Sequence, residues 1–126
     1  MPFVLDASLI LANLNRERGG ERLSEFLDDG AISLATYVEV VTKLMEGGVP
    51  FTAAEGALLA LELPTIELTL PVARRAAELR DATRVSGLSL GDRICLATAE
   101  SLAAVAVTAD QAWARLDIGI EIELIR

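Results

Sequence analysis

The chain has 126 residues, 52% apolar and 24% charged, with four prolines, which describes a globular protein able to bury a core and excludes a disordered one. Its net charge of −8 argues against a surface that binds nucleic acid everywhere. The single cysteine excludes an intrachain disulfide, and no apolar run reaches the roughly 20 residues of a membrane span.

Taken in order, the N-terminus from Met1 to Asp6 has no basic segment and meets an acid at once, so no signal peptide is expected. Phe3-Val4-Leu5 reads as a short strand ending at Asp6. Ala7 to Asn15 is helical in its spacing, Gly19-Gly20 breaks it, and Glu21 to Leu27 forms a second helix with Leu23, Phe26 and Leu27 inward. After the turn at Asp28-Asp29-Gly30, Ile32-Ser33-Leu34 is the second strand. A helix from Thr36 to Glu46 follows, with Val38, Val41, Leu44 and Met45 on one face, and then another from Thr52 to Leu61. Ile66-Glu67-Leu68 is a third strand between Pro64 and Pro71, succeeded by the helix Val72–Thr83. Gly87-Leu88-Ser89-Leu90-Gly91-Asp92-Arg93 marks a turn into an apolar helix from Ser89 to Leu102, with Ser89-x-x-Asp92 as a capping box. Cys95 lies on that helix as a buried thiol, expected in a reducing cytoplasm. Val105–Thr108 is nearly all apolar, as a central parallel strand should be. A short helix with Trp113 and Leu116 follows, and the alternation from Ile120 to Ile125 suits an edge strand. Strands separated by helices predict one α/β domain over residues 1–126, with a parallel sheet.

The chain contains no histidine. This removes Ser-His-Asp and Cys-His nucleophile systems, His-ligated zinc and imidazole acid–base chemistry. Any hydrolysis must then be run by carboxylates, with a hard metal ion that prefers oxygen. In open α/β sheets, sites form beyond the carboxyl ends of the strands. Asp6 follows the first strand directly, Glu39 lies one turn into the helix after the second, and Asp110 follows the fourth by one residue. Asp92 opens the helix that leads into the fourth strand and so begins near the same edge. Each has an ordinary alternative: Asp6 and Asp110 as helix N-caps, Glu39 in a Thr36-x-x-Glu39 capping box or paired with Lys43, Asp92 as a cap. Together, four carboxylates at one edge repel one another unless a cation intervenes, and the only lysine, Lys43, is not enough. A divalent ion, Mg²⁺ or Mn²⁺, is the simplest resolution. Between residues 74 and 93, five arginines face three acids, a surplus that could hold phosphates or merely form a solvated helix face.

Val4-Leu5-Asp6-Ala7-Ser8, Tyr37-Val38-Glu39-Val40-Val41, Gly87 to Arg93 and Thr108-Ala109-Asp110-Gln111-Ala112-Trp113 together resemble the PIN-domain ribonucleases, and more closely the VapC-type toxins of bacterial type II toxin–antitoxin systems. The similarity runs over essentially the whole chain. No single motif is specific, but the four in this order and at these separations are. The resemblance implies a three-layer fold with a five-stranded parallel sheet flanked by helices. It also implies Mg²⁺-dependent endonucleolytic cleavage of RNA, Mn²⁺ substituting, to 5′-phosphate and 3′-hydroxyl ends. It makes Asp6 and Asp92 the principal metal ligands, with Glu39 and Asp110 completing the site directly or through water. It places the hydroxyls of Ser8 and Thr108 where they can support these carboxylates. A homodimer and a cognate antitoxin are further implied, with operator DNA bound only through the toxin–antitoxin complex. Arg84 and Arg93 are candidates for contacting the RNA backbone, Arg93 having an equal claim to a structural ion pair. A receiver domain would need paired acids after the first strand and a late lysine, and a haloacid-dehalogenase-type phosphatase would need Asp-x-Asp where Asp6-Ala7-Ser8 stands. The alternative from another class is a non-catalytic PIN-like binding module acting through dimer or antitoxin contacts.

Overall fold

Apolar and β-branched runs too short for a helix pair side by side into a five-stranded, wholly parallel sheet of order β3-β2-β1-β4-β5. The strands are β1 (Phe3–Leu5), β2 (Gly30–Ser33), β3 (Thr65–Ile66), β4 (Val105–Thr108) and β5 (Ile122–Leu124). Between them lie α1 (Ala7–Leu14), α2 (Leu34–Glu46), α3 (Phe51–Leu59), α4 (Leu70–Thr83) and α5 (Leu90–Ser101). Two 3-10 helices, Gly20–Glu25 and Gln111–Arg115, occupy the segments expected to hold short α-helices. The computed structural model describes residues 2–126, and none of its helices is long and apolar enough to cross a membrane.

The alternation of the central strands divides the core in two. Leu5 and Val107 point to one side with α1, α2 and α3, packing on Leu9, Ile10, Val40, Leu44 and Leu58. Val4 and Ala106 point to the other, against Ala76 and Leu79 of α4, Leu96 of α5 and the fully sequestered Trp113. Cys95 is buried there as expected. At about 25 cal/mol per Å² of apolar surface removed from water, large side chains such as Leu96 and Trp113 each contribute on the order of 2 kcal/mol or more.

Four local expectations change. α2 begins at Leu34, because Ser33 is its N-cap and accepts from the Thr36 N–H at 3.1 Å. Thr36 is therefore a buried residue inside the first turn, not the head of a capping box with Glu39. The inner face of α2 is Thr36, Val40, Val41 and Leu44, and Val38 (57% exposed) and Met45 (45%) face outward. The third strand is shifted to Thr65–Ile66, where Ser33 and Ile66 pair. The edge strand β5 shortens to three residues and is held by Arg22, which bonds both Glu25 and Glu123 at 2.9 Å.

The strand order decides where a site can form. From β1 the chain winds outward through β2 to β3, then returns by α4 and α5 to lay β4 on the opposite side of β1. The winding direction reverses between β1 and β4, the switch point at which a crevice opens beyond the strand ends.

Candidate metal centre

Asp6 stands at that crevice. As the residue after β1, it donates its backbone N–H to the Val107 carbonyl at 2.8 Å, extending the ladder, and then caps α1. Its side chain is almost fully buried, 3% exposed. Ser8 Oγ–H and Thr108 Oγ1–H both donate to Oδ2, at 2.6 and 2.9 Å, and the Ser8 N–H approaches the same atom at 3.4 Å. Each hydroxyl has only one proton, so both being spent on Asp6 makes the 3.1 Å Ser8–Thr108 approach a contact of oxygens. The hydroxyls are held in turn: Ser8 Oγ accepts from the Ala109 N–H at 2.9 Å, and Thr108 Oγ1 from the Asp110 N–H at 3.0 Å. All three bonds to Asp6 fall on Oδ2. Burial pushes the Asp6 carboxyl up to about 6 despite these donors, with the negative charge of Asp92 adding to the rise.

Glu39 projects from α2 and is half-buried; desolvation raises its pKa first, then the charges of Asp6 and Asp92, with Lys43 opposing. Its ion pair with Lys43 is not formed: the Lys43 ammonium lies 3.5 Å from Glu46 instead. Asp92 sits at N3 of α5, in the capping box expected from Ser89-x-x-Asp92, with Oδ2 accepting from the Ser89 N–H at 2.9 Å. Its pKa is also raised by burial, against the Ser89 hydrogen bonds and with the charge of Asp110 contributing. Asp110 is exposed at the rim and caps the Gln111–Arg115 turn through the Ala112 N–H at 2.9 Å. The charges of Asp6, Asp92 and Glu39 all reach the Cys95 thiol on the inner face of α5, which lies pushed well above the usual range chiefly by its own burial.

Asp6, Glu39 and Asp92 are thus brought together electrostatically, with Asp110 joined to them through Asp92 and through Thr108. Asp6 and Asp110 are also helix caps, so the ordinary and the chemical reading coexist in the same residues. Among the described residues no three such side chains are closed around a metal-sized position. The donor set is all oxygen, and the upward shifts of three neighbouring acids register a repulsion and desolvation that a divalent cation relieves. On both grounds the residues fit a hard divalent ion.

One contributor escaped the sequence reading. A Cβ on Gly91 would lie 2.8 Å from Glu39 Oε1, so the bare backbone of α5 is what lets the Glu39 carboxylate approach. The signal was a glycine in a first helical turn, where alanine would be preferred. Of the two arginines expected at the RNA backbone, Arg84 is exposed at the end of α4. Arg93 is tucked between helices and donates from Nη1 to the Ala76 carbonyl at 2.9 Å, with Nε buried and unpaired. It bonds a helix carbonyl, not the neighbouring acid that the alternative reading gave it.

Comparison with known proteins adds three findings. Residues 3–119 match the family model of the PIN domain. A search of curated sequences finds no match. Among solved structures, VapBC2 from Rickettsia felis bound to a DNA fragment from their promoter superimposes with a TM-score of 0.74 at 17% identity, covering 98% of each chain. DNA-bound VapBC from Salmonella typhimurium gives 0.70 at 23% identity, covering 100% of this chain and 99% of that one. VapBC-5, a toxin–antitoxin member from Mycobacterium tuberculosis, gives 0.65 at 26%, with coverage of 100% and 99%.

Proposed function

The chain belongs to the PIN-domain family, and from that premise we propose that it is a metal-dependent endoribonuclease, the toxin half of a VapC-type toxin–antitoxin pair, forming one PIN domain over its length. The observation that carries the reading is a buried Asp6 carboxylate at the β1–β4 switch point, with Glu39 and Asp92 within electrostatic reach. PIN domains act in general as nucleases, and the superimposable VapBC complexes support an antitoxin as partner. A homodimer, a cytoplasmic location and operator binding only through the antitoxin complex belong to the same proposal.

In this reading Asp6 and Asp92 would hold the ion, Mg²⁺ or Mn²⁺. When bound, that ion lowers the pKa of a water and stabilises charge on the scissile phosphate. Ser8 and Thr108 keep Asp6 in one rotamer by occupying Oδ2. Glu39 and Asp110 accept hydrogen bonds from water at the site and orient it. In-line attack at phosphorus leaves a 5′-phosphate and a 3′-hydroxyl and does not need the RNA 2′-hydroxyl as nucleophile, so selection of RNA rests on groove contacts. Arg84 remains a backbone contact in this proposal, whereas Arg93 braces α4 against α5.

The test is cleavage of end-labelled RNA by the antitoxin-free protein in Mg²⁺ or Mn²⁺ against EDTA, with Asp92→Asn alongside. Cuts that need the metal, bear 5′-phosphates and vanish in the variant are expected. Cleavage indifferent to EDTA or to Asp92 would overturn the assignment.

Gly91→Ala separates positioning from folding. The added methyl meets the flexible end of Glu39, so the carboxylate shifts and the backbone stays. Activity is expected to fall about ten- to a hundredfold, while stability is unchanged or rises by up to about 1 kcal/mol from better helix propensity. Kinetics beside a denaturant titration read both; full activity would show that Glu39 has no required position.

A further inference from the structure

Two depressions flank the carboxylate centre and share one wall residue, Lys43. One, of about 540 Å³, is largely apolar, over Leu34, Val38, Leu90 and Ile94, and reaches Glu39. The other, of about 440 Å³, is lined by Ser8, whose hydroxyl holds Asp6, and by Asn15, Glu17, Lys43 and Arg126. A polyanion brought to the acids meets a chain of net charge −8 and needs cations beside the reacting phosphate.

Several arginines are committed elsewhere. Arg75 bonds Glu100, Arg93 bonds the Ala76 carbonyl, and Arg22 bonds Glu25 and Glu123. Arg126, which also lines the second depression, donates to the Arg18 carbonyl at 2.7 Å and lies 3.6 Å from Glu17. Among the described residues Lys43 pairs only with Glu46, at 3.5 Å between side chains 57% and 62% exposed, an arrangement worth little in water. It stands one helical turn after Glu39, near enough for its charge to act on that carboxyl. Its flexible stem and three donors suit a phosphate oxygen and carry no base preference.

We propose that the depression lined by Ser8, Asn15, Lys43 and Arg126 is a phosphate-binding subsite for single-stranded nucleic acid. Lys43 there holds a backbone phosphate next to the one at the carboxylates. This rests on the nuclease reading above and specifies how its substrate lies: the strand crosses α2 on the Ser8 side of Glu39.

The test is equilibrium binding of a fluorescein-labelled, mixed-sequence oligoribonucleotide in EDTA across a salt series, by the parent, Lys43→Gln, Lys43→Arg and Arg75→Gln. Lys43→Gln is expected to bind about three- to tenfold more weakly at low salt, with log K against log salt shallower by about 0.7, one phosphate contact on a single strand. Lys43→Arg, and Arg75→Gln on the opposite side of the sheet, are expected to follow the parent. The subsite is overturned if Lys43→Gln superimposes on the parent at every salt, or if Arg75→Gln loses as much as Lys43→Gln. A parent that neither binds nor cuts RNA overturns the nuclease reading and the subsite together. A parent that does both, with Lys43→Gln unchanged, removes the subsite alone.

Discussion

Asp6→Asn is expected to abolish RNA cleavage, by about a thousandfold or more, and at the same time to stabilise the metal-free protein at neutral pH. The two effects have one origin. Asp6 is buried where its charge is poorly solvated, and its folded pKa of about 6 exceeds its ordinary value of 3.8. Below the ordinary value both folded and unfolded chains carry the proton, and Asp6 costs nothing. As pH rises from there toward 6 the unfolded chain ionises while the folded one resists, so stability falls with pH. Above about 6 the full penalty is present, about 3 kcal/mol at 1.36 kcal/mol per pKa unit. Asparagine carries no charge at any of these pH values, and its amide oxygen can still accept from Ser8 and Thr108.

Urea titrations in EDTA therefore have a definite expected pattern. Asp6→Asn exceeds the parent by about 1–3 kcal/mol at pH 7.5, and the two converge near pH 4. Adding Mg²⁺ raises the parent by mass action and leaves the variant where it was. A variant no more stable than the parent at pH 7.5 would show that Asp6 is not held against its charge. A variant that gains from Mg²⁺ as much as the parent does would remove Asp6 from the ion's ligands.

Gly20→Ala is expected to be the most damaging small substitution in the chain. Its Cβ would lie 2.3 Å from the Ala12 carbonyl oxygen, 2.4 Å from the carbon and 2.6 Å from the Asn13 nitrogen. All three are backbone atoms of α1 or its immediate continuation, so no rotamer change relieves the clash. The same approach is pinned from the other side, where Asn13 Nδ2 donates to the Gly20 carbonyl at 3.0 Å. A loss of about 3 kcal/mol or more is expected, seen as a fall in Tm of about 10 °C. Gly56→Ala is the matched control, since a Cβ there meets nothing within 4 Å inside α3. It is expected to gain up to about 1 kcal/mol. Equal effects from the two substitutions would mean that the 3-10 segment is not pressed on α1.

Much of the fold was legible because its signals are local. The alternation of strands and helices, the Ser89-x-x-Asp92 box and the apolar run Val105–Thr108 each depend on residues within a few positions of one another, and the structure has all three. The inner face of α2 was not legible. Val38, Val41, Leu44 and Met45 share one helical stripe, and Thr36, Val40, Val41 and Leu44 share another that overlaps it. Which stripe turns inward depends on the Ser33 cap and on what α1 and α3 present, and the structure chooses the second. Arg93 was ambiguous for a similar reason: its partner, the Ala76 carbonyl, is on another helix, and no sequence spacing announces it.

The same division holds for the candidate site. From residue types alone it follows that histidine chemistry is absent and that acids follow the strands, and from this comes the expectation that Asp6, Glu39, Asp92 and Asp110 share one edge of a parallel sheet. That expectation uses the rule that a strand's carboxyl end opens on the crevice. The pairing of β4 with β1 is a long-range contact, and it brings Ser8 and Thr108, 100 residues apart, onto the same Asp6 oxygen. Only the tertiary structure decided that Asp6 is buried while Asp110 stays at the rim, and that Gly91 makes room for Glu39. Burial, hydrogen-bond partners and close approach are properties of pairs distant in the chain, and the energies that shift a carboxyl's pKa come from those pairs.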